Sequence, residues 1–310
     1  MVQETPAAQQ VPARGAPELT PSELRILLAV GDAGGFTAAA ATLGLTQSAV
    51  SHAVRGIERK LGAVLFDRGR RGATPTPAGE RAAAHARRIL RLYETMAAEV
   101  GGADRALTGV LRIAAFRSAA LHLLPAALER LTRRHPGLRP EVRVVRDVGR
   151  GTAGEVADGR ADLAIATLGG TTPLPEGLLT GELAQETYAF VHPAGHRAPR
   201  SLPFVDWQEN CSAYTAGWWS AQEWLPRATI TAEDDGTVLA LVAQGRGMAV
   251  MPELSLRDAP ASVTVTDLGP DRPVRTIGYA TTPELARTAG VRELIRALRG
   301  VRGALGNWGA

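Results

Sequence analysis

The stretch from Thr37 to Lys60 constrains the fold more than any other. Thr37–Leu43 is almost pure alanine, and such small side chains let a second helix approach closely. Gly44-Leu45 then makes a tight turn, and Thr46 is placed to cap a helix running from Gln47 to about Lys60. Val50, Val54 and Ile57 recur at steps of four and three, so they turn inward. Gln47, Ser48, Ser51, His52, Arg55 and Arg59 are expected on the opposite face. Two helices joined by a turn of about three residues, the second with a polar outer face, form a helix-turn-helix pattern.

The flanking residues extend this unit. Residues 1–18 are rich in Ala, Gln and Pro without a period, and read as a disordered tail. Thr20-Pro21 is a cap followed by a proline suited to the first helical position. Leu24, Leu27, Leu28 and Gly31 keep helical spacing until Gly34-Gly35. After Gly62, Val64-Leu65-Phe66 reads as a short strand, Asp67–Thr74 as a basic loop and return strand, and together they form a wing. Thr76-Pro77 opens a helix to about Val100, in which Ala82, Ala86, Ile89, Tyr93, Met96 and Val100 fall at alternating steps of four and three. That is a heptad seam, expected to pair with a second copy. Thr108-Gly109 reads as a hinge.

Charge distribution adds to this. The net charge is only +4, yet between Arg55 and Arg91 ten basic residues face Glu58, Asp67 and Glu80 alone. A local excess of this kind suits a polyanion or a solvated charged face equally.

From Val110 the pattern alternates. Leu111–Phe116, Glu141–Asp147 and Asp162–Thr167 read as strands, with helices at Leu121–Arg134 and Thr152–Asp158 between them. This βαβαβ order predicts a parallel sheet. Tyr188–His192, Ser212–Tyr214, Thr229–Thr231, Gly247–Met251 and Val274–Ala280 read as further strands, Thr237–Ala243 and Val291–Arg299 as helices. Two α/β lobes with a cleft between them are expected. The fold class is thus α/β: an N-terminal winged helix-turn-helix (19–77), a dimerising linker helix and hinge (78–108), and a two-lobed domain (109–300), followed by a tail at 301–310. Lobe one is expected at about 109–167 and 269–300, lobe two at about 168–268.

Composition narrows the function. With 310 residues, the chain can hold two or three folding units at about 100–200 residues each. Cys211 is the only cysteine; internal disulfides are excluded, and the usage fits a reducing cytoplasm. The start of the chain lacks a secretory pattern, no apolar run approaches the ~20 residues of a membrane helix, and no membrane partner is expected. No phosphate loop, Gly-x-Ser-x-Gly elbow or His-Glu-x-x-His pair is present. His192 and His196 are separated by Pro193 and Gly195, which argues against a helix-borne metal pair. No enzyme activity, cofactor or metal is expected.

The run Phe36-Thr37-Ala38-Ala39-Ala40, Leu43, Thr46-Gln47-Ser48-Ala49-Val50-Ser51-His52, Ile57-Glu58, Leu61-Gly62, Leu65-Phe66-Asp67-Arg68 and Thr76-Pro77-Ala78-Gly79 resembles the signature of LysR-type transcriptional regulators. The likeness spans about residues 19–300, more loosely beyond the first third: Leu123-Leu124-Pro125, Gly159–Leu163, and Val242–Gly247 before Met251-Pro252. The resemblance implies a winged helix-turn-helix, a dimerising linker, a periplasmic-binding-protein-like effector domain, assembly as a dimer or tetramer, and control by a small molecule.

Candidate sites follow. For double-stranded DNA read as a two-fold-related operator, the residues are Thr46, Gln47, Ser48, Ser51, His52 and Arg55 on the reading helix. Arg68, Arg70 and Arg71 on the wing are better placed for phosphates or the minor groove. For an effector, expected to be anionic, Arg117 and Ser118 lie at the end of the first strand, Gly149 after the second and Thr167 at the end of the third. The resemblance places Ser118 at a ligand-contacting hydroxyl, although a helix cap accounts for it equally. It also places Gly149 where relatives carry a hydroxyl, and Thr215 and Trp218 in a pocket-lining segment. Of the adjacent Trp218 and Trp219, one is expected in the core and one at the cleft. A narrower alternative is a redox-responsive regulator sensing through Cys211.

Overall fold

A computed structural model describes residues 18–69, 72–99, 107–169, 173–207, 209 and 216–301. The chain divides into two compact units, Met1–Leu90 and Arg91–Ala310.

In the first unit, α1 (Pro21–Ala33) opens with a reciprocal cap. Thr20 accepts from the Glu23 N–H while Glu23 accepts from the Thr20 N–H, and Gly34 closes the helix in the left-handed region. Next come α2 (Phe36–Leu43), α3 (Gln47–Leu61), the antiparallel pair β1 (Phe66–Gly69) and β2 (Gly72–Pro75), and α4 (Pro77–Glu99). The core joins Leu24, Leu27 and Val30 of α1, Ala39 and Ala40 of α2, and Val50, Val54 and Ile57 of α3 to Leu65 and Phe66. Each of the three α3 residues is fully buried, so Ile57→Ala is worth about 2–5 kcal/mol. Gly72 fixes the wing: its φ is +111°, and a Cβ there would lie 2.2 Å from the Gly34 carbonyl oxygen, which accepts from the Ala73 N–H.

Helix α4 departs from the expected seam. Ala86 and Leu90 are buried in the core of the first unit, with Ala82 packed against it, whereas Ile89, Tyr93 and Met96 are exposed. The described positions of that spacing therefore do not share one environment. The winged unit offers its own apolar surface to the start of the helix, and only the later residues are left for another partner. Val100 lies outside the described residues.

The second unit contains β3 (Thr108–Ala115), α5 (Arg117–His122), α6 (Leu124–Arg134), β4 (Gly137–Val144), α7 (Gly151–Ala157), β5 (Leu163–Leu168), β6 (Leu179–Pro193), β7 (Val205–Trp207) and α8 (Ala216–Ser220). It continues with β8 (Ile230–Ala232), α9 (Asp235–Ala243), β9 (Ala249–Pro252), β10 (Val263–Asp267), β11 (Val274–Thr281) and α10 (Ala289–Gly300). The main sheet runs β10-β6-β11-β5-β3-β4, with β9 also on β6. As expected, β3 is parallel to β4 and β5; the pairings of β6, β9, β10 and β11 in this sheet are antiparallel, and β7 and β8 form a separate parallel pair.

Three expectations are corrected. Thr108-Gly109 is not a hinge but the start of β3, held in register with Gly137 and Leu138 of β4. The helix at Leu121–Arg134 is two helices broken at Leu123, because Pro125 has no N–H to continue the earlier one. The lobes also meet later than residues 168 and 268. Strand β6 pairs with β11 as far as Thr187 and with β9 and β10 from Tyr188, while β11 returns at Val274. The Ser212–Tyr214 strand lies outside the described residues.

Lobe one packs α5, α6 and α10 on one face of its strands and α7 on the other. In lobe two, alternation sorts the residues. Ala189, Val191, Ala249 and Met251 face α9, and Tyr188, Phe190, Met248 and Val250 face the tryptophan-rich stretch.

Candidate functional site

The first group of residues lies at the start of α3. Thr46 Oγ1 accepts from the Ala49 N–H at 3.2 Å, satisfying one of the free amides of the first turn. Thr46 Oγ1 also lies 3.0 Å from Ser48 Oγ. Gln47, Ser48, His52, Arg55 and Arg59 are exposed, above the buried Val50–Val54–Ile57 stripe. Ser51 is a correction: it is 7% exposed, turned with Val50 and Val54 toward the core rather than outward. Lys60, at the far end, is paired with Glu23 at 2.7 Å. Arg68 lies in β1, opposite Ala73, and Arg70 and Arg71 lie outside the described residues.

The second group lies where the lobes of the second unit meet. Phe116 is buried at the end of β3, and Arg117 follows it. Arg117 Nη1 donates to Asp235 Oδ1 at 2.9 Å, across from lobe one to lobe two, and Ser255 Oγ donates to Asp235 Oδ2 at 2.5 Å. The arginine lies close over Gly236: a Cβ there would lie 2.6 Å from the guanidinium carbon, and the flexible arginine would have to shift. Asp234, not Asp235, caps α9, accepting from the Thr237 N–H at 2.8 Å. Ser118 is 2% exposed.

Asp147 ties the strand ends together. Its Oδ1 accepts from the Thr152 N–H and hydroxyl at 3.3 and 3.1 Å, and its Oδ2 accepts from the Thr167 N–H at 2.8 Å. Its own N–H donates to Glu209 Oε1 at 3.2 Å, a second link between the lobes. Burial drives the Glu209 carboxyl up to about 7. The Asp147 N–H and Arg275 pull it down, while Asp235 and Asp147 push it further up.

Arg275 occupies the returning strand β11. Its Nε donates to Glu186 Oε1, and Glu186 Oε2 accepts from the Leu254 N–H at 2.7 Å. Burial lowers the tendency of Arg275 to hold its proton, but Glu186, Tyr188 and Asp147 together outweigh this and the net direction is up.

The expected effector residues are brought together only in part. Arg117, Ser118 and Thr167 lie at this junction, whereas Gly149 is an exposed turn residue with φ +62°. Thr215 and Cys211 lie outside the described residues. Trp218 and Trp219 both pack in the same aromatic cluster on lobe two, their ring centroids 5.4 Å apart and Trp219 5.5 Å from Phe204. Asp147, Glu186, Glu209 and Arg275 were not expected. Apart from the Thr152 contact of Asp147, their partners are 20 to 89 residues away in sequence, and no local pattern marks one surface-type carboxylate from another.

Residues 21–80 match the family described as bacterial regulatory helix-turn-helix protein, lysR family, and residues 104–302 match the LysR substrate binding domain. A probable HTH-type transcriptional regulator LrrA from Synechococcus elongatus is 33% identical over 289 residues, covering 90% of this chain and 96% of that protein. A probable hydrogen peroxide-inducible genes activator from Mycobacterium xenopi is 33% identical over 173 residues, 56% of this chain and 89% of that protein. Among solved structures, ArgP from Mycobacterium tuberculosis superposes with a TM-score of 0.69 at 20% identity, covering 92% of this chain and 98% of that one. CbnR in complex with its target DNA gives 0.64 at 19% identity, covering 91% and 99%. No described helix is long and apolar enough to cross a membrane. A DNA-binding helix-turn-helix joined to a substrate-binding domain, with relatives that are regulators rather than enzymes, places this chain in the LysR family of transcriptional regulators.

Proposed function

We propose that the chain reads a two-fold-related operator through α3 and that a small organic molecule bound between the lobes of the second unit modulates it. The observation that carries the first part is the exposed stripe Gln47, Ser48, His52 and Arg55 at the capped start of α3. A helix N-terminus of this kind enters a major groove, where Gln pairs with adenine and Ser and His reach several base edges. Arg59 and the wing arginines supply phosphate contacts. The exposed Ile89, Leu92, Tyr93 and Met96 of α4 favour a second copy as the occupant of that stripe, in a dimer or tetramer.

The cross-lobe links Arg117–Asp235 and Asp147–Glu209 support control from the junction. A ligand regulates only by favouring one lobe arrangement over another, and a change of arrangement would break or remake these links. Ser118 is the hydroxyl assigned to the ligand. The test is a footprint of the full-length protein on its selected duplex, with and without a small-molecule extract of the source cells. Ser118→Ala is expected to keep the ligand-free footprint and lose the extract-dependent change.

A second reading, oxidation of Cys211, draws on the peroxide-inducible activators among the relatives. With one cysteine in the chain, oxidation cannot form an internal disulfide and leads instead to a sulfenic acid, its further oxidation products, a sulfenamide, or a bond to another molecule. Cys211→Ser with an unchanged footprint response to hydrogen peroxide removes this reading.

A further inference from the structure

We infer that the lobe junction is built for a small zwitterion of the amino-acid class, its carboxylate on Arg275 and its ammonium beside Glu209 and Asp147. This rests on the reading that an effector binds between the lobes, and adds the chemistry of that effector.

The starting point is an unmatched donor. Arg275 is 8% exposed, and its Nη2 is buried with no hydrogen-bond partner among the described residues. Its guanidinium carbon lies 4.9 Å from the centroid of the Phe116 ring, directly before Arg117 and Ser118. This places the open edge of the guanidinium at the end of β3, on the strand that returns from lobe two to lobe one. A buried cationic donor without an acceptor calls for a missing acceptor. A planar guanidinium is best matched by a carboxylate.

A simple anion fits the rest of the site poorly. Arg275 is matched by Glu186, and Arg117 by Asp235. The carboxylate of Asp147 is held by the N–H groups of Thr152 and Thr167 and the Thr152 hydroxyl, with no ion pair among the described residues, and Arg275 acts on it only through its field. Glu209 stands beside it from the other lobe, within the fields of Asp235 and Arg275 as well. Burial and these neighbouring carboxylates hold its proton near neutrality. A second anion would worsen that balance. A ligand ammonium would relieve it, ionising Glu209 and bridging the two lobes, while the ligand carboxylate takes Nη2.

The test is calorimetric titration of the full-length protein with each common L-amino acid. For the tightest binder, the matching carboxylic acid without the amine and the matching amine without the carboxylate follow. One or more amino acids are expected to bind, and loss of either charged group is expected to weaken binding at least tenfold. Binding at pH 7 should release roughly half a proton, read from the dependence of apparent enthalpy on buffer. Glu209→Gln should abolish that release and weaken the amino acid while leaving the amine-free acid unaffected. Arg275→Lys keeps a cation opposite Glu186 but loses the fork, and should weaken the amino acid at least tenfold with an unchanged circular dichroism spectrum. An Arg275→Lys variant that no longer gives that spectrum is replaced by the amine-free and carboxylate-free pair on the native chain, which decides alone. An amine-free acid binding as tightly as its parent overturns the assignment. So does a folded Arg275→Lys with native affinity, or a native chain that binds no member of the panel. In each case the Ser118→Ala footprint still decides whether an effector uses the junction at all.

Discussion

Arg117 Nη1 donates to Asp235 Oδ1 at 2.9 Å, joining the first turn of α5 in one lobe to the first turn of α9 in the other. Asp235 is 4% exposed at its side chain and Arg117 41%, so removing the arginine strands a buried carboxylate with Ser255 as its one side-chain donor among the described residues. Arg117→Ala is expected to destabilise the second unit by about 1–2 kcal/mol, the exposed arginine being partly screened by solvent. Arg117→Ala/Asp235→Asn should recover most of that loss in urea melts. A double variant that is no better than the single one shows that the pair is not coupled.

Glu209 predicts a pH dependence. Its carboxyl titrates at about 7 in the folded chain against an ordinary 4.5. Between these values the folded chain keeps a proton that the unfolded chain gives up. Stability therefore falls as pH rises through that window and levels off above it, by as much as about 3 kcal/mol. Glu209→Gln should flatten the profile and be more stable than the native protein at pH 8. Parallel profiles for the two proteins contradict the assignment.

The two halves of α4 should respond differently to charge. Ile89→Asp and Met96→Asp fall on exposed positions, so the single chain keeps its fold while self-association weakens in sedimentation velocity. Ala86→Asp puts a carboxylate into the core of the first unit and should unfold it. An assembly unchanged by the paired Ile89 and Met96 substitutions places the interface elsewhere.

Salt should separate reading from holding. Arg59→Ala and Arg55→Ala are expected to reduce the slope of log affinity against log salt by about 0.9 for each phosphate contact removed. Gln47→Ala should leave that slope unchanged. A reduced slope for Gln47→Ala would assign it to the backbone instead.

Where structure was written into neighbouring residues, the sequence was legible. The Thr46 cap, the Val50–Val54–Ile57 stripe and the parallel strands β3, β4 and β5 follow from local spacing, because i+3, i+4 and period-two patterns report directly on one face of an element. Ser51 was misplaced because it directly follows Val50 at the border of the apolar stripe, where it is buried. The polar first half of β6 gave no strand signal, since its pairing with β11 comes from residues some 90 positions away. Arg275, Glu186 and Glu209 were illegible for the same reason: an arginine or glutamate becomes a buried site residue only through distant partners. Asp235 stands next to the helix cap Asp234 in sequence, and only the lobe-to-lobe approach of Arg117 distinguishes them.

Selection of binding sites from a random duplex library tests the central claim most directly. The full-length native chain should enrich one two-fold-related sequence. Gln47→Ala should relax the preference at particular positions of that sequence while retaining affinity for bulk DNA. A native chain that enriches no sequence, or a Gln47→Ala variant with an unchanged preference, contradicts the assignment of α3 as the reading helix.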